Sequence, residues 1–355
     1  MPLSLNFNDA ELAAMTLAKV GNPIRDEPLT VSRSLCQFDD ADAEMLTSCF
    51  LRSFRALEQH HLDHHTDLTS NELFGYAKAI FDDRNTLVEQ GGNISRHLYD
   101  KSKHPNIKSG DLCVSVIDHI GVSGAGDYEK RQALCIIKSE SKVPFLQISE
   151  HDGDLRLTTE QGIYPEKIDK GCLIVDHDAE GGYAVYLFDK GGGSTNFWKH
   201  EFVNAVPVKD EDYLTKHYSR LAVDFADKGL GEETPQEERM EVASKAISYL
   251  EDTEEFDLED FKSKTLETPE RIEQFDSFKS DYEEEHDLPL DDKFTVSQPE
   301  AKKARKRLKS RLKLDVGVEL RFSSGFISAS DQFLERGHDE GKGMEYVKVW
   351  YHKEV

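Results

Sequence analysis

The run Ala301 to Lys313, AKKARKRLKSRLK, carries eight cations and no acid: Lys302, Lys303, Arg305, Lys306, Arg307, Lys309, Arg311 and Lys313. Clustered Lys and Arg attract polyanions, because each phosphate they neutralise releases condensed counterions. A polyanion is the partner this points to, and on a nucleic acid there would be little base readout, since phosphate contacts position a protein without reading bases. Other groups are weaker candidates. On a helix, His60-His61-x-x-His64-His65 would offer two i,i+4 imidazole pairs to a transition metal. The pairs would point about 100° apart, with only Asp63 or Asp67 nearby as a further ligand. A polar helix end whose histidines complement the macrodipole accounts for them better, so no metal is assigned. Lys138-Ser139-Glu140, one strand on from Asp111, has the parts of a metal-dependent nuclease core but reverses its usual acid-x-Lys order. Lys190-Gly-Gly-Gly-Ser-Thr195 lacks the order of a phosphate loop, and Gly121, Gly124 and Gly126 do not form G-x-G-x-x-G; both read as turns. Neither G-x-S-x-G nor H-E-x-x-H occurs. The sequence reads as non-enzymatic, without catalytic residues or a cofactor.

The elements that position the cations follow from periodicity. Ala304, Leu308 and Leu312 recur at i, i+4 and i+8, one narrow apolar stripe, and Pro299 suits a helix start, so a single basic helix is predicted over 301–313. Residues 251–300 hold 19 acids and five bases. Two arrangements stay open: the helix shows its cations to solvent, or it lies against acidic helices that neutralise it. Upstream, Glu27–Leu35 alternates like a strand. Asp40 to about His65 predicts a long helix with Met45, Leu46, Cys49, Phe50, Phe54 and Leu57 on one face. Ser70 is a candidate N-cap for a second helix through Leu73, Phe74, Ala77, Ile80 and Phe81, with Gly91-Gly92 as the break and 94–99 as another helical piece. From Pro105 the period changes. Apolar runs at 112–120, 132–140, 144–150, 155–159, 172–177 and 183–190, joined by Gly/Asp turns, predict an antiparallel meander. Helices at 210–226, 237–250 and 269–285 follow, and after the basic stretch come strands at 316–322, 326–330 and 344–352. The expected fold is α+β: an N-terminal domain of helices and a meander over 1–206, then a helical region with a small antiparallel element over 207–355.

With 355 residues, two domains are expected. The net charge of −25, from 44 Lys+Arg against 69 Asp+Glu, excludes a protein that coats nucleic acid with its whole surface. Any DNA contact must be local. The five cysteines are odd in number, widely spaced and without C-x-x-C, as buried thiols of a reducing compartment would be. No stretch approaches 18 apolar residues, and the start MPLSLNFNDAELAA lacks a basic region followed by an apolar one. A cytoplasmic protein with no membrane partner is expected.

HPNIKSGDL (104–112), ALCIIKSE (133–140), KGCLIVDH (170–177), FWKHEF (197–202), YSRLAVDF (218–225), KSRLKLDVGVELRF (309–322) and GMEYVKVWYH (343–352) together resemble the bacterial nucleoid-associated protein family of the NdpA type. Their order and spacing extend the resemblance over nearly the whole chain. It implies a cytosolic, nucleoid-located protein that associates with DNA, and by analogy a homodimer. It fixes no DNA-contacting positions, so the site residues rest on charge. The acidity of the chain leaves a second reading: an interaction module, with 251–300 as its working surface, that reaches the nucleoid through a protein partner. A metal-dependent nuclease using Asp111 and Glu140 is the least favoured.

Overall fold

The computed structural model describes residues 3–55, 57–123, 128–191, 197–231, 233–286, 288–308, 310–313, 316–322 and 333–353. The chain divides into two units, Met1–Val208 and Lys209–Val355. It is α+β, with antiparallel sheets throughout the described residues.

The first unit holds strands β1 (Ser4–Asn6), β2 (Glu11–Val20), β3 (Thr30–Val31), β4 (His60–Leu62), β5 (Gly110–Ser123), β6 (Glu129–Ser139), β7 (Val143–His151), β8 (Asp154–Gly162), β9 (Lys170–Val175), β10 (Ala184–Asp189) and β11 (Ala205–Pro207). Its helices are α1 (Asp40–Arg52), α2 (Glu72–Asp82) and α3 (Leu87–Lys101). The large sheet runs β11-β4-β10-β9-β6-β5-β2-β3, with β1 also on β5. Both faces are covered, so the central strands are continuous apolar runs rather than alternating ones. Leu134 and Ile136 bury with α2 and α3, while Ala133, Cys135 and Ile137 bury with Phe50 and Leu51 of α1. The six predicted runs become β5 to β10, but β7 and β8 leave the sheet as a ribbon, so β6 pairs directly with β9.

Four expectations in this unit are corrected. The helix predicted over 40–65 stops at Arg52, and His60 and His61 lie on β4, whose backbone pairs with β10 and β11. Tertiary pairing overrides a helical pattern there. Gly91 and Gly92 do not break a helix but lie within α3, where a Cβ on Gly91 would collide with the Thr16 methyl of β2. Of the strand predicted at 27–35, only Thr30–Val31 forms, and β2 stands beside it unpredicted. The second helix is capped by Asn71 rather than Ser70, its side chain accepting from the Phe74 amide at 3.0 Å.

The second unit holds α4 (Glu211–Asp224), α5 (Gln236–Asp252), α6 (Leu258–Thr265), α7 (Pro269–His286) and α8 (Gln298–Arg307). Its strands form three antiparallel pairs: β12 (Glu255–Asp257) with β13 (Lys293–Thr295) across α6 and α7, β14 (Ser310–Lys313) with β15 (Glu319–Phe322), and β16 (Leu334–Asp339) with β17 (Met344–Val349). An aromatic cluster holds the unit together, with Phe294 stacked on both Tyr218 and Phe256 and with Phe225, Phe261 and Phe275 beside them. The basic run is not one helix. It is helical to Arg307, extended at Leu308, and a strand from Ser310, with Leu312 opposite Leu320. The segment predicted as a strand at 326–330 lies outside the described residues.

Candidate nucleic-acid interface

Ser297 caps α8, its side chain accepting from the Glu300 amide, and Pro299 sits in the first turn. Ala301 and Leu308 are buried and Ala304 half-buried, which seats the helix on α4 and α5. Positions 301, 304, 305 and 308 form the i, i+3, i+4, i+7 face, so Arg305 belongs to the docked side. Its guanidinium meets Glu251 of α5 at 2.7 Å, Ser244 at 3.2 Å and Ser248. Arg305 is therefore a packing residue, spent on its own protein. Lys303 pairs with Glu300 one turn back and stays exposed. Lys302, Lys306 and Arg307 are exposed and form no ion pair among the described residues. Cations at the C-terminal end of the helix also offset its macrodipole.

Among the described residues, Glu251 and Glu300 are the acids of 251–300 that pair with α8 cations. On α6 and α7, Asp276 takes Lys262 at 2.6 Å, Asp260 takes Lys264 at 2.8 Å and Glu283 takes Lys279 at 2.9 Å.

A groove of about 300 Å³ runs between α4 and α8. Lys216, Ser219, Arg220, Val223 and Asp224 line one wall, and Glu300, Ala304, Arg307 and Leu308 the other. Lys216 and Arg220, absent from the sequence-derived set, thus stand across from Arg307. Their i,i+4 spacing was the available signal, but only the packing of α4 on α8 gives it meaning. Of the remaining sequence-derived residues, Arg311 and Lys313 lie on β14, and Lys309 lies outside the described residues.

The other candidates resolve differently. His60 is buried, with Nδ1 3.1 Å from the Glu58 carbonyl, and burial pushes its pKa down to about 4. The exposed His65 ring packs on His64, whose Nδ1 is 2.8 Å from the Thr66 hydroxyl. The helical i,i+4 pairs do not exist, and among the described residues no group of three or more His, Cys, Asp or Glu is placed to hold a metal.

The Lys138-Ser139-Glu140 segment sits at the end of the large sheet in a network of buried charges. Lys138 Nζ donates to Glu140 at 2.8 Å and to the Lys108 carbonyl at 2.7 Å. Lys170 donates to Asp189 at 2.5 Å and lies 3.7 Å from Glu140. Both ammonium groups face the Phe197 ring. Desolvation lowers the Lys138 pKa against the opposing pull of Glu140. Asp111 pairs with Lys142 at 3.2 Å, and Asp169 accepts from the backbone amides of Glu140 and Ser141. Each carboxylate is occupied by a lysine or a backbone amide, as in a structural latch. The glycine loop 192–195 lies outside the described residues, as do Gly124 and Gly126. Burial pushes the Cys113 thiol up to about 12 and raises Cys135 and Cys172 as well, so these thiols are inert.

No helix among the described residues is long and apolar enough to cross a membrane. None of the curated proteins matches the chain. Residues 18–341 match the family described as nucleoid-associated protein YejK. Because that match takes in both units, the chain belongs to this nucleoid-associated protein family.

Proposed function

We propose that this is a non-catalytic protein of the cytoplasmic nucleoid that touches duplex DNA locally, through the exposed edge of α8 and the facing wall of α4. Lys302, Lys303, Lys306 and Arg307 take phosphates, Lys216 and Arg220 extend the track, and Lys309, Arg311 and Lys313 continue it along the chain. One observation carries the reading: Lys302, Lys306 and Arg307 are exposed with no carboxylate partner among the described residues, in a chain of net charge −25. Cations kept free in so acidic a protein retain displaceable counterions, and the contact is electrostatic with little base readout. A gel shift with the Lys302→Glu/Lys306→Glu/Arg307→Glu variant tests it: loss of the shifted band with unchanged circular dichroism is expected. Arg305 is left out of this variant because its side chain is bound to Glu251 of α5 and its removal would cost stability.

A second reading has its own observation. Helix α7 exposes Glu270, Glu273, Asp281, Glu284 and Glu285, a surface that would suit a basic protein partner. Under it, the chain reaches the nucleoid through that partner. Affinity capture after exhaustive nuclease treatment separates the two: a partner retained after DNA is destroyed favours the protein route.

A further inference from the structure

The β7–β8 ribbon has no counterpart in the functional reading above. Its strands pair only with each other among the described residues, and nearly every residue along them is exposed. The turn at Asp152-Gly153 has positive φ at both positions, which fits a tight two-residue hairpin. In an antiparallel pair, directly opposed residues share a face. The register therefore sorts the side chains into two faces. Gln147 with Thr158, Ser149 with Arg156 and His151 with Asp154 make one face polar toward the tip, with Phe145 opposite Glu160 nearer its base. Leu146 with Thr159, Ile148 with Leu157 and Glu150 with Leu155 make the other. Leu146, Ile148, Leu155 and Leu157 thus share one side, exposed at 69%, 69%, 75% and 63%.

Such alternation is the pattern of a sheet that covers something with one side. A lone two-stranded ribbon is marginal in water, and monomers rarely leave so concentrated an apolar face open. We propose that this ribbon is a dimerisation arm, in which two copies of the chain stack these four aliphatics face to face about a twofold axis. The charges choose the occupant. The ribbon carries Glu150, Asp152, Asp154 and Glu160 against a single Arg156, which disfavours nucleic acid and anionic lipid. They also choose the direction. Lys142, exposed and also 3.2 Å from Asp111, and Lys167 flank the base of the ribbon beside Glu160 and Glu166, while Glu150, Asp152 and Asp154 crowd its tip. A twofold axis across the ribbon lays Glu150 of one copy over the Lys142 end of the other, at both ends. In this isologous arrangement the same patch serves both copies. A patch of this kind covers roughly 300–600 Å² on each copy, so stacking removes under ~1,200 Å² from water, the size of a weak, reversible interface.

This proposal does not depend on the DNA-contact reading, and its test uses no DNA. Sedimentation of the full-length protein near 10 µM should give a dimer, a concentration at which micromolar association is visible. The Ile148→Lys/Leu157→Lys variant should be monomeric, its dissociation constant raised ~100-fold or more, with circular dichroism and melting unchanged because both side chains are exposed. Glu150→Lys alone should weaken the dimer, and adding Lys142→Glu should restore it. A monomeric wild type, or a double-lysine variant that still dimerises, overturns the arm. Failure of the charge exchange to rescue overturns the antiparallel arrangement.

Discussion

The lysines at the end of the large sheet and those on α8 are one residue type in opposite electrostatic circumstances. Lys138 is wholly out of water and Lys170 nearly so, and both are matched by Glu140 and Asp189 at short range. Lys302 and Lys306 stand in solvent with no carboxylate partner among the described residues. A cation taken out of water must bring its own countercharge, since desolvation otherwise outweighs what it gains. Once matched, it is not available to a ligand. A cation left in water keeps a mobile ion atmosphere, and that is what a phosphate backbone displaces. The buried set fastens the fold, and the exposed set is free to bind.

Substitutions should separate the two sets by their effect on stability. Glu140→Gln strands the buried Lys138 ammonium, while Lys170 keeps Asp189, and should cost about 3–5 kcal/mol, read by denaturant unfolding, with DNA affinity unchanged. A smaller loss should come with acid. His60 holds a pKa of about 4 in the fold against 6.5 free, so between those values the unfolded chain binds more protons. Its contribution is complete above pH 6.5 and should fade by about 3 kcal/mol as the pH drops toward 4. His97, lowered in the same direction by burial, adds to that loss, and His60→Gln should flatten the curve between those limits. Arg305→Ala tests the boundary case. Although it lies in the basic run, its side chain is only 18% exposed and bound to Glu251, so it should cost about 2 kcal/mol and leave the salt dependence of binding alone. Least of all, the Lys302/Lys306/Arg307→Glu variant should shift stability by under ~1 kcal/mol while sharply weakening DNA binding.

Legibility from sequence followed the same division. The central strands could be read because β5, β6, β9 and β10 are unbroken apolar runs bounded by turns. β2 could not: Glu11–Val20 is rich in small residues, and its identity comes from pairing with β5. The helical pattern running on past Arg52 gave no sign that the chain would turn, bury Phe54 and join the sheet at His60. On the basic run, a spacing of four between Leu308 and Leu312 fits a helix and, being even, one face of a strand equally well. Pairing of Leu312 with Leu320 decides for the strand. Charge alone made Arg305 look like its neighbours, although its place on the Ala301–Ala304–Leu308 face marked it as inward. Lys216 and Arg220 carried no mark beyond their i,i+4 spacing, since only the docking of α8 on α4 brings them to Arg307.

The most direct measurement is a titration of the full-length protein and the Lys302/Lys306/Arg307→Glu variant with duplex DNA at several salt concentrations. For the wild type, log K should fall against log salt with a slope of roughly −4 to −5, as engagement of four to six phosphates requires, and the variant's slope should be shallower by ~3. Equal slopes in the two proteins, or no uptake of duplex by the wild type at low salt, would contradict a DNA contact through α8.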